Sequence, residues 1–327
     1  MAVVRIGVLG AARIAPAALL KPARHVPEAQ VRAVAARDRS RAEAFASKHG
    51  VGLVHDDYAT LVEDPELDAV YVPLPNGLHA EWAAAALRAG KHVLCEKPLT
   101  NNATEARSLA AAAQQSGRVL MEAFHYRYHP VAVRAREIVA SGAIGRIEHV
   151  ETWMCFPLPR FADIRYQYDL GGGALMDAGC YSVHLARLLG LEEPEVVSAR
   201  AKLRNRDVDR AMTADLRFGG GHTGTIHCSM WSGTLLRMGA RVRGSGGELR
   251  ITNPFGPHVY HRLRIATAQG RSVEHLSKRP TYEFQLEAFC GAVLRGEPIW
   301  TGPEDSVANM EVIDAIYAAA GMRLRGD

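Results

Sequence analysis

Short apolar runs alternate with stretches of helical periodicity through the first third of the chain. VVRIGVLG (Val3 to Gly10) is an apolar run closed by a glycine, and VRAVAAR (Val31 to Arg37) is a second such run; both read as strands. RSRAEAFASKHG, soon after the second run, has helical character and a stop at Gly50. The alternation continues with the strand DAVYVPLP, the helix HAEWAAAALRAG, the strand KHVLCEKP, the helix TEARSLAAAAQQSG and the strand RVLMEAF. Strand and helix in strict succession predict a parallel sheet covered by helices.

After Phe124 the pattern changes. TGTIHCSMW puts Thr223, Thr225, His227 and Ser229 on one face and Ile226, Cys228 and Met230 on the other, a period of two. RMGARVRGSGGELRIT and HRLRIATAQG continue in that style, divided by glycine-rich turns. One helix, DAGCYSVHLARLLG, comes after a glycine run, and two helical segments close the chain. The expectation is an α/β protein: a dinucleotide-binding domain over residues 1–124, and an α+β domain over 125–327 with a large, mostly antiparallel open sheet. A homodimer through the uncovered face of that sheet is expected, on the premise that apolar positions there need a partner.

Composition narrows the class. The chain has 327 residues, 48% hydrophobic and 23% charged, which is ordinary for a folded soluble protein and excludes global disorder. No apolar stretch is long enough to cross a bilayer, and Arg5 and Gly7 interrupt the N-terminal run, which therefore reads as a strand and not a signal peptide. The five cysteines are scattered and form no C-x-x-C pair, as expected of free thiols in a reducing cytoplasm. A net charge of +4 is mild, and the arginines between Arg200 and Arg210 lie among Asp207 and Asp209 like a solvated face, which argues against a nucleic-acid partner.

Candidate chemistry starts at the first turn. The register of a G-x-G-x-x-G fingerprint falls on Gly10, Ala11, Ala12, Arg13, Ile14 and Ala15, so only the first glycine is kept. Alanine is the smallest replacement, and a pyrophosphate can still approach the backbone there; a strand turning into a helix needs a glycine in any case. The second strand ends near Ala36 without the acid that holds a ribose in NAD-preferring folds. Arg37 stands there instead, with Arg39 and Arg41 nearby, and a guanidinium suits a 2′-phosphate. NADP(H) is favoured over NAD(H), although Asp38 sits among these arginines and all of them also suit the solvated start of a helix. Further on, Leu74, Pro75, Asn76 and His79 come after one strand and Glu96 and Lys97 end the next, where ligands of open parallel sheets bind. Lys97 there can polarise a carbonyl or stabilise an alkoxide, while Pro98 fixes the backbone behind it. The plain alternative is a surface ion pair.

AGKHVLCEKPLT after DAVYVPLPNGLHAEW, together with LGGGALMDAGCYSVH and YEFQLEAFCGAVLRGEPI, resembles the glucose–fructose oxidoreductase/inositol dehydrogenase (Gfo/Idh/MocA) family over essentially the whole chain. That resemblance implies a Rossmann domain holding the cofactor and a second domain holding the substrate. Family members typically carry an Asp and a His four residues apart after the glycine run; here the Asp is Asp177 and the His position holds Tyr181. Tyrosine there is similar to the branch with glucose–fructose oxidoreductase, dimeric dihydrodiol dehydrogenase and NADP-dependent aldose dehydrogenases, in which it acts with the Glu-Lys-Pro lysine in proton transfer. The implied catalytic set is Lys97, Tyr181 and Asp177; the alternative for Tyr181 is an amphipathic core tyrosine. Arg127, Phe156, Arg165, Tyr166, Asp177 and His184 are the candidate contacts for a polyhydroxylated substrate, and no spacing supports a metal. The resemblance leaves open a sugar–sugar oxidoreductase with a non-dissociating cofactor, and a cofactor-sensing regulatory or partner-binding protein on the same fold.

Overall fold

A computed structural model of the chain describes residues 2–326. It divides into two compact units, one of the residues up to His125 together with Pro280–Val307, the other of Tyr126–Arg279 together with the residues from Ala308 on. A division at one point in the sequence does not anticipate the return of Pro280–Val307 to the first unit.

The first unit alternates as the apolar runs require: β1 (Val4–Leu9), β2 (Ala29–Ala35), α1 (Arg39–His49), β3 (Leu53–Val54), α2 (Tyr58–Glu63), β4 (Ala69–Val72), α3 (His79–Arg88), β5 (His92–Cys95), α4 (Ala103–Ser116) and β6 (Leu120–Glu122). The strands pair in the order β3-β2-β1-β4-β5-β6, all parallel. That order reverses direction between β1 and β4, which opens a crevice beyond their carboxyl ends. Every residue of β4 is buried, and Leu9, Val70, Val72, Val93 and Leu109 join one core. Local chemistry fixes the helix ends. Asp38 accepts from the Ser40 N–H to cap α1, Asp57 and Thr60 form a capping box on α2, and Asn102 caps α4.

The second unit contains α5 (Pro130–Ala140), β7 (Ile147–Cys155), α6 (Cys180–Gly190), β8 (Pro194–Leu203), β9 (Asp209–Phe218), β10 (Thr223–Ser229), β11 (Arg237–Gly244), β12 (Gly247–Thr252), β13 (Arg262–Thr267) and β14 (Gly270–Glu274). Its eight strands run β14-β13-β12-β11-β7-β10-β9-β8, antiparallel except for the parallel pair of β7 and β10. One face is apolar and buried: Val150, Leu216, Ile226, Val242, Leu249 and Ile251. The register places His149, Glu151, Trp153, Asp215, His227 and Arg241 on the other. That face is polar, so the expected apolar positions are not what it offers; Trp153 itself is covered by the Arg237 guanidinium, 3.7 Å above its ring, and by the stacked His227.

Two helices close the chain, α7 (Thr281–Arg295) and α8 (Pro303–Ala319). Within the first unit α7 packs on β1 and on the two short turns after it, with Glu283 bonded to His25 and Arg295 to Glu28. No helix is long and apolar enough to cross a membrane among the described residues. All five cysteines are free and buried.

Candidate active site

Gly10 ends β1 with φ +97°, a conformation that costs glycine nothing. A Cβ there would lie 3.0 Å from Leu74 Cδ2 and 3.7 Å from the Tyr58 hydroxyl, so the end of β1 and the loop after β4 meet in close contact. Ala12 is partly buried, Arg13 and Ile14 are exposed, and a short π-helical turn (Pro16–Leu20) comes next. A turn that only glycine can open, at the carboxyl edge where the sheet order reverses, fits the phosphates of a dinucleotide.

The arginines beyond β2 have distinct partners. Arg39 pairs with Glu43 and Asp56. Asp38 accepts from both the hydroxyl and the N–H of Ser40, which hold its carboxyl below the ordinary carboxylate range. Arg37 and Arg41 are exposed and form no ion pair among the described residues. Burial raises the Tyr58 phenol, and a hydrogen bond from the Arg37 backbone and the charges of Arg37 and Arg41 oppose it. The charges of both guanidinium groups thus act on the tyrosine whose hydroxyl lies near Gly10.

At the next strand end Glu96 is buried and accepts from the Tyr71 hydroxyl at 2.6 Å, while Lys97 is half-buried. Burial raises the Tyr71 phenol first, and Glu96 raises it further. Pro98 comes after a cis bond. Pro75 and Asn76 are half-buried beside Leu74. His79, a cofactor-contact candidate, is fully buried, with Nδ1 2.8 Å from the Pro98 carbonyl and Nε2 2.8 Å from the Leu74 carbonyl. Burial pulls His79 down to about 4; the two carbonyls favour a doubly protonated ring but are outweighed, and the charge of Lys97 adds to the lowering. The neutral ring carries one N–H and donates to one of these carbonyls at a time, from a place between the ends of β4 and β5 behind the Lys97 turn. Glu122 adds a second tie by accepting from the Leu99 N–H at 2.9 Å.

In the second unit the glycine run ends in a π-helical turn, Leu175–Gly179, and α6 continues from it. The sequence predicts one regular helix here, and the wider turn changes the register that relates Asp177 to Tyr181. Such turns concentrate at functional positions. Asp177 is half-buried and lies 3.3 Å from Arg165 Nε. Burial works against the Arg165 charge, but Asp177 and Asp163 outweigh it and raise the guanidinium further. Tyr181 is buried, its ring 6.0 Å from that of Tyr126 and 5.1 Å from that of Phe255.

The remaining candidates separate by burial. Phe156 is half-buried at the end of β7 and Arg127 is half-buried in a 3-10 turn. Tyr166 is buried and donates to the Leu158 carbonyl at 3.0 Å; His184 is buried with Nδ1 2.5 Å from the Tyr126 hydroxyl. Of the remaining charged candidates, Arg165 is exposed and its partner Asp177 is half-buried. Among the described residues no group of three or more His, Cys, Asp or Glu side chains is arranged to hold a metal ion. Asp209, which the sequence places on a solvated face, is fully buried beside Arg325. Nothing local in the sequence signals that pair.

The family model for the Gfo/Idh/MocA oxidoreductases, an oxidoreductase family with an NAD-binding Rossmann fold, matches residues 4–124, and the model of that family's C-terminal domain matches residues 132–250. A D-xylose 1-dehydrogenase (NADP(+)) of Haloferax volcanii is 40% identical over 96% of this chain and 96% of its own. The chain is a Gfo/Idh/MocA oxidoreductase. Solved structures of the Gfo/Idh/MocA architecture extend the likeness. A 3-ketoreductase from Actinomadura kijaniata in complex with NADP and TDP-benzene matches with a TM-score of 0.90 and 36% identity, over 97% of this chain and 98% of that one. An aldose–aldose oxidoreductase from Caulobacter crescentus matches with a TM-score of 0.90 and 26% identity over 98% of each chain. Other forms of the Actinomadura enzyme carry a lysine replaced by alanine or glutamate, and a tyrosine replaced by phenylalanine. The two positions are as far apart in that chain as Lys97 and Tyr181 are in this one.

Proposed function

We propose that this chain is an NADP-dependent oxidoreductase acting on a secondary alcohol or hemiacetal carbon of a sugar, cyclitol or trans-dihydrodiol, with Lys97 and Tyr181 handling the proton. The observation that carries this is the shared spacing of Lys97 and Tyr181 with the lysine and tyrosine replaced in the Actinomadura ketoreductase. Family membership and the NADP named for two relatives support the cofactor, as do Arg37 and Arg41, whose charges act on the Tyr58 phenol near Gly10. Gly10, Ala12, Arg13 and Ile14 hold the phosphates, and Leu74, Pro75, Asn76 and Glu96 border the remainder of the nucleotide.

NADP supplies or takes up the hydride when bound. Lys97 stabilises negative charge on the reacting oxygen, and a tyrosine, with an ordinary pKa of about 10, needs a cation nearby to serve as a base near neutral pH. Tyr181 takes the hydroxyl proton during oxidation and returns it during reduction. Arg165 and Asp177 present a donor and an acceptor to substrate hydroxyls, with Arg127 and Phe156 beside them.

Purified protein tests this with NADP(+) and NAD(+) across aldoses, inositols and trans-diols, with turnover read from cofactor absorbance. Lys97→Met and Tyr181→Phe are expected to bind NADPH as the parent does and to lose turnover. Tight NADPH binding with no turnover of any panel member would favour a cofactor sensor instead. The likeness to the Caulobacter aldose–aldose oxidoreductase favours a second reading, in which cofactor stays bound while one sugar reduces another; loss of cofactor on dialysis rules against it. The five buried thiols support a cytoplasmic location, and the broad polar face of the eight-stranded sheet is the proposed homodimer surface.

A further inference from the structure

An arginine with no exposed surface is rare, because the desolvation of its charge is repaid only by a full set of partners. Arg325, near the end of the chain, is such a residue. Its Nε donates to the Gly172 carbonyl at 2.6 Å and its Nη2 to Asp209 Oδ1 at 3.1 Å. Asp209 is equally buried; its Oδ1 also takes the Tyr317 hydroxyl at 3.0 Å, and its Oδ2 takes the Leu175 N–H at 2.7 Å. The ion pair therefore grips the glycine turn on both sides, by a carbonyl before Gly173 and an N–H after it.

Gly173 is shaped to that grip. Its φ is +140°, and a Cβ would lie 2.3 Å from Asp209 Oδ1 and 2.8 Å from Arg325 Nη2. The carbonyl of Gly173 accepts from the Asp177 N–H at 3.0 Å, the bond that begins the turn leading to Tyr181. Its own N–H donates to the Arg165 carbonyl at 2.9 Å, and Arg165 pairs with Asp177. One clasp thus sets the backbone from which Arg165, Asp177 and Tyr181 are all presented. Lysine cannot replace the fork, since one ammonium lacks its planar pair of directed donors.

We propose that Arg325 is a positioning residue: through Asp209 and the Gly172 carbonyl it holds the glycine turn that orients Asp177 and Tyr181 for the reaction. It rests on the role of Tyr181 given above and goes beyond it by assigning a part to the C-terminal tail. Arg325 touches no substrate; it acts through the turn.

Arg325→Ala leaves the Asp209 charge buried and unpaired and risks unfolding, so Arg325→Lys is the second variant. Three quantities are measured on the full chain: NADPH affinity, kcat and KM for the best substrate, and amide exchange over residues 170–181. In Arg325→Lys, NADPH affinity is expected to stay within about twofold, because the cofactor residues belong to the other unit. On the order of a 10²-fold loss is expected in kcat, the cost of misplacing a catalytic group by about 1 Å. Exchange is expected to rise over 170–181 and not over β1 or β5. Added guanidinium is expected to restore part of the kcat of Arg325→Ala, where equal ionic strength of sodium chloride does not. Parental kcat in Arg325→Lys, or unchanged exchange over 170–181, overturns the proposal. If the parent protein itself turns over no substrate, the role of Tyr181 falls, and the exchange result alone decides whether Arg325 holds the turn.

Discussion

Arg37 and Arg41 lack the acidic partners that occupy Arg39, among the described residues, and this leaves their donors available to a phosphate. Charge-assisted hydrogen bonds contribute about 1.5–3 kcal/mol each, and every 1.4 kcal/mol or so is tenfold in affinity. Arg37→Ala with Arg41→Ala is therefore expected to weaken NADPH at least about tenfold while leaving NADH within about twofold, as read by fluorescence titration. Equal losses for both cofactors would deny these arginines the 2′-phosphate. His79 gives a prediction of the opposite kind. Burial lowers its pKa from 6.5 to about 4, so the folded state holds the neutral ring and its stabilisation is complete above pH 6.5 and lost as pH falls towards 4. The loss is about 3 kcal/mol, and denaturant titrations of His79→Asn are expected to show a flatter profile across that window. Of the residues concerned, Lys97 was legible because a charge pair ends an apolar run. His79 was legible only as a polar residue near the site. Its burial between two carbonyls depends on β4 and β5 being neighbours, which no local pattern states.

Strands β1, β4 and β5 were legible as elements because full burial leaves continuous apolar runs, and the second sheet because one buried face leaves alternation. The π-helical turn at Leu175–Gly179 was not, since LMDAG has a composition that an α-helix accepts equally well. It is set from outside by Asp209 on the Leu175 N–H. Helix α6 meets the sheet at another hidden point, Gly190, where a Cβ would lie 2.3 Å from Phe218 Cε1. The Phe218 ring is itself stacked on His222 at 4.3 Å and has no room to retreat. Gly190→Ala is therefore expected to destabilise by about 1–3 kcal/mol through overpacking, and Phe218→Leu in the same chain to recover part of it. Additive losses in thermal melts of the double variant would contradict that contact.

The whole molecule is less linear than its sequence suggests. α7 belongs to the nucleotide-binding unit although nearly the whole second unit precedes it in the chain, and it packs there on β1 with side-chain ties from Glu283 to His25 and Arg295 to Glu28. Long-range pairing of this kind has no periodic signature, which is why an uninterrupted second domain was the natural expectation. Assembly belongs to this scale too. The open sheet face is charged, so a dimer there depends on matched polar groups more than on apolar burial. Sedimentation is expected to give twice the 35.6 kDa of one chain, and a single-chain mass would remove the dimer. The proposed chemistry is tested most directly by the pH dependence of kcat/KM for oxidation. The parent enzyme is expected to gain activity through a titration well below the tyrosine value of about 10. Tyr181→Phe is expected to lose about 10²–10⁴-fold in rate together with that titration. A Tyr181→Phe enzyme with the parental profile and rate would contradict the assignment of the proton to this tyrosine.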